Sequence, residues 1–283
     1  MEQGLLFAPD TILQAELQMA IERMDFDLAD RKLEEYRRLW RASALTWEPE
    51  LVAAGARLSR QRMDLDSGYD AWTGLEQRMA ALGVPAPSIR SMRRNFFSRL
   101  LAVNRNLFEE LRTPAGRALG DFHLLADQPN NARRQYEKQI RQADDTWAVR
   151  LGLGNCGFRL DQAGPARSNY LRSYLDGLPD EAWKEIEDDE FLSGLWNADY
   201  AEWAFAELCA DGIVRSRFTV RADFDEFKSR FQDRFPEGPR RFCFYWAVSE
   251  NRGHCPQEEW LLARRQLKAL HPALHARYMR RLP

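Results

Sequence analysis

Leu119-Gly120-Asp121-Phe122-His123-Leu124-Leu125-Ala126-Asp127-Gln128-Pro129-Asn130-Asn131-Ala132-Arg133-Arg134-Gln135-Tyr136 is echoed by Leu153-Gly154-Asn155-Cys156-Gly157-Phe158-Arg159-Leu160-Asp161-Gln162-Ala163-Gly164-Pro165-Ala166-Arg167-Ser168-Asn169-Tyr170. The Leu-Gly pair, the Asp-Gln pair, the alanine and the tyrosine each recur at a spacing of 34 residues. A fixed period of this length marks a helical hairpin that cannot bury its apolar face alone and must stack on a neighbour. The residue types suit that task. Gly120 and Gly154 let a facing helix approach where two helices of a hairpin cross, and Ala132 and Ala166 are small for the same reason. Leu119 and Leu153 supply apolar bulk, and Tyr136 and Tyr170 reach from the second helix toward the next unit. Gln128-Pro129-Asn130-Asn131 and Ala163-Gly164-Pro165 break one helix and start another. The earlier unit is therefore expected to place a helix over Ala115–Asp127 antiparallel to one over Asn131–Gln142.

This pattern resembles two tandem tetratricopeptide repeats over Thr113 to Leu178. The family's mid-helix aromatic is replaced by His123 in one copy and Gly157 in the other, and the proline expected near the repeat's end appears only as Pro179. The resemblance implies an all-α fold, a right-handed superhelix of antiparallel helix pairs with an irregular helical C-terminal part. It also implies a protein-interaction scaffold whose first helices line a concave groove for a peptide or partner helix. Groove-facing positions would include Arg117, Asp121, Leu124 and Leu125, then Leu151, Asn155, Phe158 and Arg159. Arg117, Asp121, Asn155, Phe158 and Arg159 are the partner-binding candidates; burial would be costly for the charged ones, whereas Leu124 and Leu151 serve equally to cover the repeat core. Asn155 falls where carboxylate-clamping relatives often carry Asn. Leu151 stands where those clamps carry Lys, so a clamp is not supported.

A second echo lies upstream, where Arg23-Met24-Asp25-Phe26-Asp27 recurs as Arg62-Met63-Asp64-Leu65-Asp66. Each copy introduces an apolar-periodic helix, marked by Leu28, Leu33, Tyr36 and Trp40 and by Trp72, Leu75 and Met79. Asp10 to Met24 and Trp47 to Gln61 read as their antiparallel partners. After the Gly83–Pro87 break, Ser88 is placed to cap a long helix running toward Arg112, with Ile89, Met92, Phe96 and Leu100 as its buried face. Its arginines, Arg90, Arg93, Arg94 and Arg99, read as the wet face; nucleic-acid binding would need them to form one continuous surface.

Beyond Pro179 the period is lost while helical patterning persists. Phe224, Phe227, Phe231 and Phe235 share one helical face after an Asp223 cap. Ile213 to Arg221 reads as a short strand or an extended linker. A helix pair over Pro239–Asn251 and Pro256–Leu270, then a basic helix from Pro272, would close the stack. The organisation expected is 1–112 (helical hairpins), 113–179 (two repeats) and 180–283 (helical region capping the same solenoid).

Of 283 residues, 45% are hydrophobic and 30% charged, the mixture of a folded chain, and the formal charge of −2 gives no global field toward nucleic acid or anionic lipid. Charge is uneven locally: Asp180 to Asp211 holds eleven acids against Lys184, whereas Gly212 to Pro283 holds fifteen Lys or Arg against eight acids. The plain reading is two neighbouring layers that complement each other. The four cysteines show no disulfide-scaffold spacing, Met1 to Phe7 has no signal-peptide pattern, and no run approaches the ~18 apolar residues of a membrane span, so a cytoplasmic protein is expected. The scarcity of Lys suits a GC-rich bacterial genome.

Gly152-Leu153-Gly154-Asn155-Cys156-Gly157 matches the glycine spacing of a dinucleotide loop, but that chemistry needs a strand before the glycines, and these fall inside a repeat helix. Cys243, His254, Cys255, His271 and His275 lack the short paired spacing of a structural zinc site. The acidic Asp188-Asp189-Glu190 lacks a dry pocket for general-acid work. No catalytic residue, cofactor or metal is assigned, and the chain reads as non-enzymatic. The alternative is an enzyme or small-ligand-binding domain using a pocket in the Trp- and Phe-rich C-terminal region, where Trp183, Trp196 and Trp203 stand out.

Overall fold

The computed structural model describes residues 9–40, 45–59, 61–107, 109–214, 216 and 218–282. Met1 to Phe7 thus lies outside the described residues. The chain divides into two compact units, Met1–Gln128 and Pro129–Pro283. Among the described residues there is no β-strand, only an isolated bridge between Arg112 and Ala118, and no helix is long and apolar enough to cross a membrane.

The first unit contains α1 (Pro9–Glu22), α2 (Phe26–Leu39), α3 (Glu48–Ser59), α4 (Leu65–Ala81), α5 (Ala86–Val103) and α6 (Leu119–Leu125). Successive helices pack on one another, and α5 also returns to α1. The upstream echo is a repeated helix start. Asp25 Oδ1 accepts from Leu28 N at 3.1 Å and Asp64 Oδ1 from Ser67 N at 2.7 Å, so each aspartate meets one of the amides that a helix leaves unsatisfied at its N-terminus. Of the apolar faces read from sequence, Leu33, Tyr36, Trp72, Leu75, Met79, Met92, Phe96 and Leu100 are buried in one core, and Leu28, Trp40 and Ile89 pack against it half-buried.

Two expectations need correction here. Ser88 does not cap α5: it lies inside the helix, buried, with Oγ donating to Glu22 Oε1 at 2.6 Å and accepting from Gln18 Nε2 at 3.3 Å, and the helix ends at Val103. The helix expected from Ala115 begins only at Leu119. Residues 113–118 instead form a turn in which Thr113 N donates to Arg117 O (2.9 Å) and Gly116 takes a left-handed φ of 84°. Pro114 and that glycine conformation are incompatible with a continuing helix.

The second unit contains α7 (Pro129–Arg141), α8 (Trp147–Arg159), α9 (Ala163–Leu175), α10 (Asp189–Trp196), α11 (Ala204–Asp211), α12 (Arg221–Phe231), α13 (Gly238–Glu250), α14 (Gln257–Leu270) and α15 (Pro272–Arg281). α7, α8 and α9 stack in order, and α8 and α9 form the tightest pair. Glycine makes that approach possible. A Cβ on Gly154 would overlap the Tyr170 ring of α9, one on Gly152 would overlap Tyr136 of α7, and one on Gly157 would crowd the Ala166 backbone at 3.2 Å. Phe224, Phe227 and Phe231 are buried as expected, whereas Phe235 lies beyond the end of α12 and is half-buried; Asp223 lies within the first turn of α12 and does not cap it, and Val220 holds that position. Ile213 to Arg221 forms no strand among its described residues.

The period of 34 residues is written into the backbone as well. Asp127 and Asp161 both take φ 57° at helix ends. Their amides donate to Leu124 O and Phe158 O, and the next amides, of Gln128 and Gln162, donate to His123 O and Gly157 O. Ala143 (φ 63°) and Gly177 (φ 106°) end α7 and α9 in the same way, through Ile140 O and Gln139 O and through Tyr174 O and Ser173 O. All four are left-handed closures that satisfy the last carbonyls of a helix.

Candidate functional site

The residues assigned to a groove are largely engaged within the chain. Asn155, on α8, is buried: its Nδ2 donates to Glu185 O at 2.9 Å, and its Oδ1 accepts from Tyr170 OH at 2.9 Å and from Glu187 N at 3.2 Å. One turn on, Arg159 grips the Glu187 carboxylate through Nε (2.6 Å) and Nη2 (2.5 Å), and half-buried Phe158 packs on the second unit's core. Asn155 and Arg159 thus meet against the chain's own 185–187 segment. In the first unit, Arg117 pairs with Asp66 (2.9 Å) and Asp70 (2.8 Å) and lies 4.5 Å from the Tyr69 ring centroid, while Asp121 is exposed on α6. Leu124 and Leu151 are buried.

Much of the acidic block is answered by arginines from neighbouring helices. Arg167 binds Asp188 through Nε (2.6 Å) and Nη2 (3.1 Å) and reaches Glu190 at 2.5 Å; these carboxylates hold its guanidinium above its ordinary pKa despite burial. Arg277, from the basic C-terminal stretch, pairs with Glu207 (2.9 Å), Asp199 (3.3 Å) and Asp211. Buried Glu207 also accepts from Asp199 N (3.2 Å) and Tyr200 N (2.6 Å), fixing the segment that follows α10. Asp180, Glu181, Glu185, Asp189 and Glu202 are exposed and form no ion pair among the described residues.

An aromatic surface emerges from this acidic region. The α10 helix buries Phe191 and Leu195 and ends on Trp196, which is 62% exposed with its ring 6.0 Å from that of buried Trp183. Four residues on, Tyr200 is 46% exposed and lies 5.0 Å from the His271 ring; half-buried Trp203 meets the same imidazole at 4.7 Å. His271 is oriented by its backbone role, since Nδ1 accepts from Leu274 N at 3.2 Å to cap α15. Trp183, Trp196 and Trp203 stand out by type in the sequence, but nothing local separates the buried one from the exposed one. Tyr200 carries no sequence signal, because its exposure is set by the hold of Glu207 on its amide.

The remaining motifs have separate structural partners. The glycines of 152–157 lie within α8, with no strand before them. Cys243 Sγ lies 4.0 Å from Cys209 Sγ, Cys255 Sγ lies 3.8 Å from Asn251 O, and His254 Nε2 lies 2.7 Å from Phe218 O. No cluster of three or more metal-ligating side chains occurs among the described residues. On α5, Arg99 donates to the carbonyls of Met24 and Arg23, both at 2.9 Å, and Arg93 lies 4.0 Å from Glu76, so two of its four arginines are drawn to internal partners.

Comparison with known proteins finds no family model, curated protein or solved structure that matches this chain.

Proposed function

We propose that the chain is a non-enzymatic, protein-binding scaffold of tetratricopeptide-like helix pairs, and that its partner is a basic segment carrying apolar side chains. The observation that carries this reading is Trp196, 62% exposed, followed by exposed Tyr200 within an acidic region that retains five carboxylates without an ion pair among the described residues. Single exposed apolar residues are ordinary, but tryptophan and tyrosine together within four residues are the side chains that most often dominate binding energy. Their acidic surroundings select a partner of opposite charge. The tetratricopeptide-like stacking of helix pairs is supported in α7–α9 by the recurring helix ends and by the close approach of Gly152 and Gly154 to tyrosines, and the right-handed winding is part of the same proposal. A reducing, cytoplasmic setting suits the four free cysteines.

Affinity capture from native lysate with the whole chain tests the reading. Trp196→Ala/Tyr200→Ala is expected to lose a partner without loss of helicity or thermal stability, and the interaction should weaken as salt is raised. Loss of the partner only with Arg117→Ala/Arg159→Ala would move the binding surface to the first helices of the repeats. Retention of every partner by both variants would defeat the scaffold reading.

A further inference from the structure

In the second unit, a cavity of about 230 Å³ opens between the α7–α8 connection, α9 and α12. Most charges on its wall are mutually satisfied. Asp145 takes both arms of Arg150 (2.7 and 2.6 Å), and Arg230 spans Asp145 (2.5 Å) and Asp176 (2.7 Å). Arg172 is the buried exception. Its guanidinium lies 4.9 Å from the Phe218 ring centroid, its Nε is buried without a hydrogen-bond partner, and it forms no ion pair with a described residue. Burial, then the neighbouring charge of Arg150, push its pKa down to about 10, so it stays protonated at neutral pH. Asp176, which also lines the cavity, carries an unmatched acceptor, since its Oδ2 is buried with no donor among the described residues. At the solvent edge, Asp223 and Glu226 are exposed and form no ion pair with a described residue.

Among the described residues a buried cation that reaches no carboxylate within ion-pair distance and a buried carboxylate oxygen without a donor are both costly, and one occupant with opposite charges at its two ends would relieve both. We propose that this cavity binds a free α-amino acid with an apolar side chain: its carboxylate on Arg172, its ammonium group toward Asp176, Asp223 and Glu226, and its side chain against Ile140, Phe227 and Phe231. A guanidinium matches a carboxylate through two parallel hydrogen bonds. A plain anion would be repelled by the edge carboxylates and a plain cation by Arg172, so the charge pattern discriminates in both directions. The volume falls below the roughly 300–1,000 Å³ of drug-sized pockets, which sets the ligand at amino-acid size. This inference does not depend on the scaffold reading.

The test uses the whole chain with L-leucine and L-phenylalanine, followed by isothermal titration calorimetry and thermal shift. The comparison compounds are N-acetyl-L-leucine, which lacks the ammonium group, isoamylamine, which lacks the carboxylate, and inorganic phosphate. Saturable binding of at least one amino acid with Kd near or below about 1 mM is expected, weaker by about tenfold or more for each comparison compound. Arg172→Met should abolish binding without lowering the melting temperature of the unliganded protein, and Asp223→Asn/Glu226→Gln, at exposed positions, should weaken it about tenfold. If Arg172→Met loses structure, the double variant decides, and undiminished binding there overturns the proposal. So does no binding of either amino acid up to about 10 mM, or phosphate or N-acetyl-L-leucine binding as well as leucine.

Discussion

Asp66 shows how one carboxylate organises a stretch of chain. It accepts from Thr113 Oγ1 (2.6 Å), Ala115 N (3.0 Å) and Arg117 Nη1 (2.9 Å), tying the turn before α6 to α4. Burial pushes its pKa up, but these donors and the Arg117 charge together hold it below the usual carboxylate value. Folded Asp66 thus gives up its proton more readily than unfolded Asp66, so its stabilisation is present above about pH 4 and is lost as pH falls through the depressed folded value. Asp66→Asn should cost about 1–2 kcal/mol at pH 7 through the weakened hydrogen bonds. It should also reduce the drop in melting temperature between pH 7 and pH 3; an equal drop in variant and parent would remove Asp66 from the acid response. The same cluster shows Arg117, a groove-facing candidate by sequence, engaged by carboxylates of α4. Its carboxylate partners, Asp66 and Asp70, are 51 and 47 residues away, and that of Arg159 is 28 residues away, so none of these pairings leaves a local trace.

At the level of elements, helix ends were more legible than helix caps. The recurring Asp-Gln pair marks two left-handed closures, and the repeated aspartates at 25 and 64 mark two helix starts. Ser88 and Asp223 carried the same kind of signal and proved false, because both fall inside a first turn, and Ser88 is drawn to α1 by Glu22 and Gln18. Ala143 gives a direct test of the recurring closure. It ends α7 at φ 63° in an exposed position, where the unit 34 residues later has Gly177. A left-handed conformation costs an L-residue about 1–2 kcal/mol, while glycine adds roughly 0.4–1 kcal/mol of unfolded-state entropy. Ala143→Gly should therefore stabilise the protein by about 0.5 kcal/mol, read as a higher denaturation midpoint with an unchanged m-value. A lower midpoint would show that Ala143 is not strained.

For the whole molecule, each of the two units has a core of its own: one runs from Leu13 to Ala126, and the other from Leu151 to Tyr278. A core that closes within one stretch of chain is what independent folding requires. The fragment 129–283 is therefore expected to be helical by far-ultraviolet circular dichroism and to unfold cooperatively; a non-cooperative melt would show that its core depends on the first unit. Sequence alone determined the all-helical class, the helix pairs at both ends of the chain and the 34-residue recurrence, because these rest on periodicity, glycine and turn residues acting over a few positions. Tertiary structure alone decided which arginines are spent on Asp66, Glu187 and Asp188, which tryptophan faces solvent, and that Arg172 is left without an ion pair among the described residues. Those outcomes depend on groups that meet only when distant segments pack, and a local pattern carries no information about the partner a charge will find.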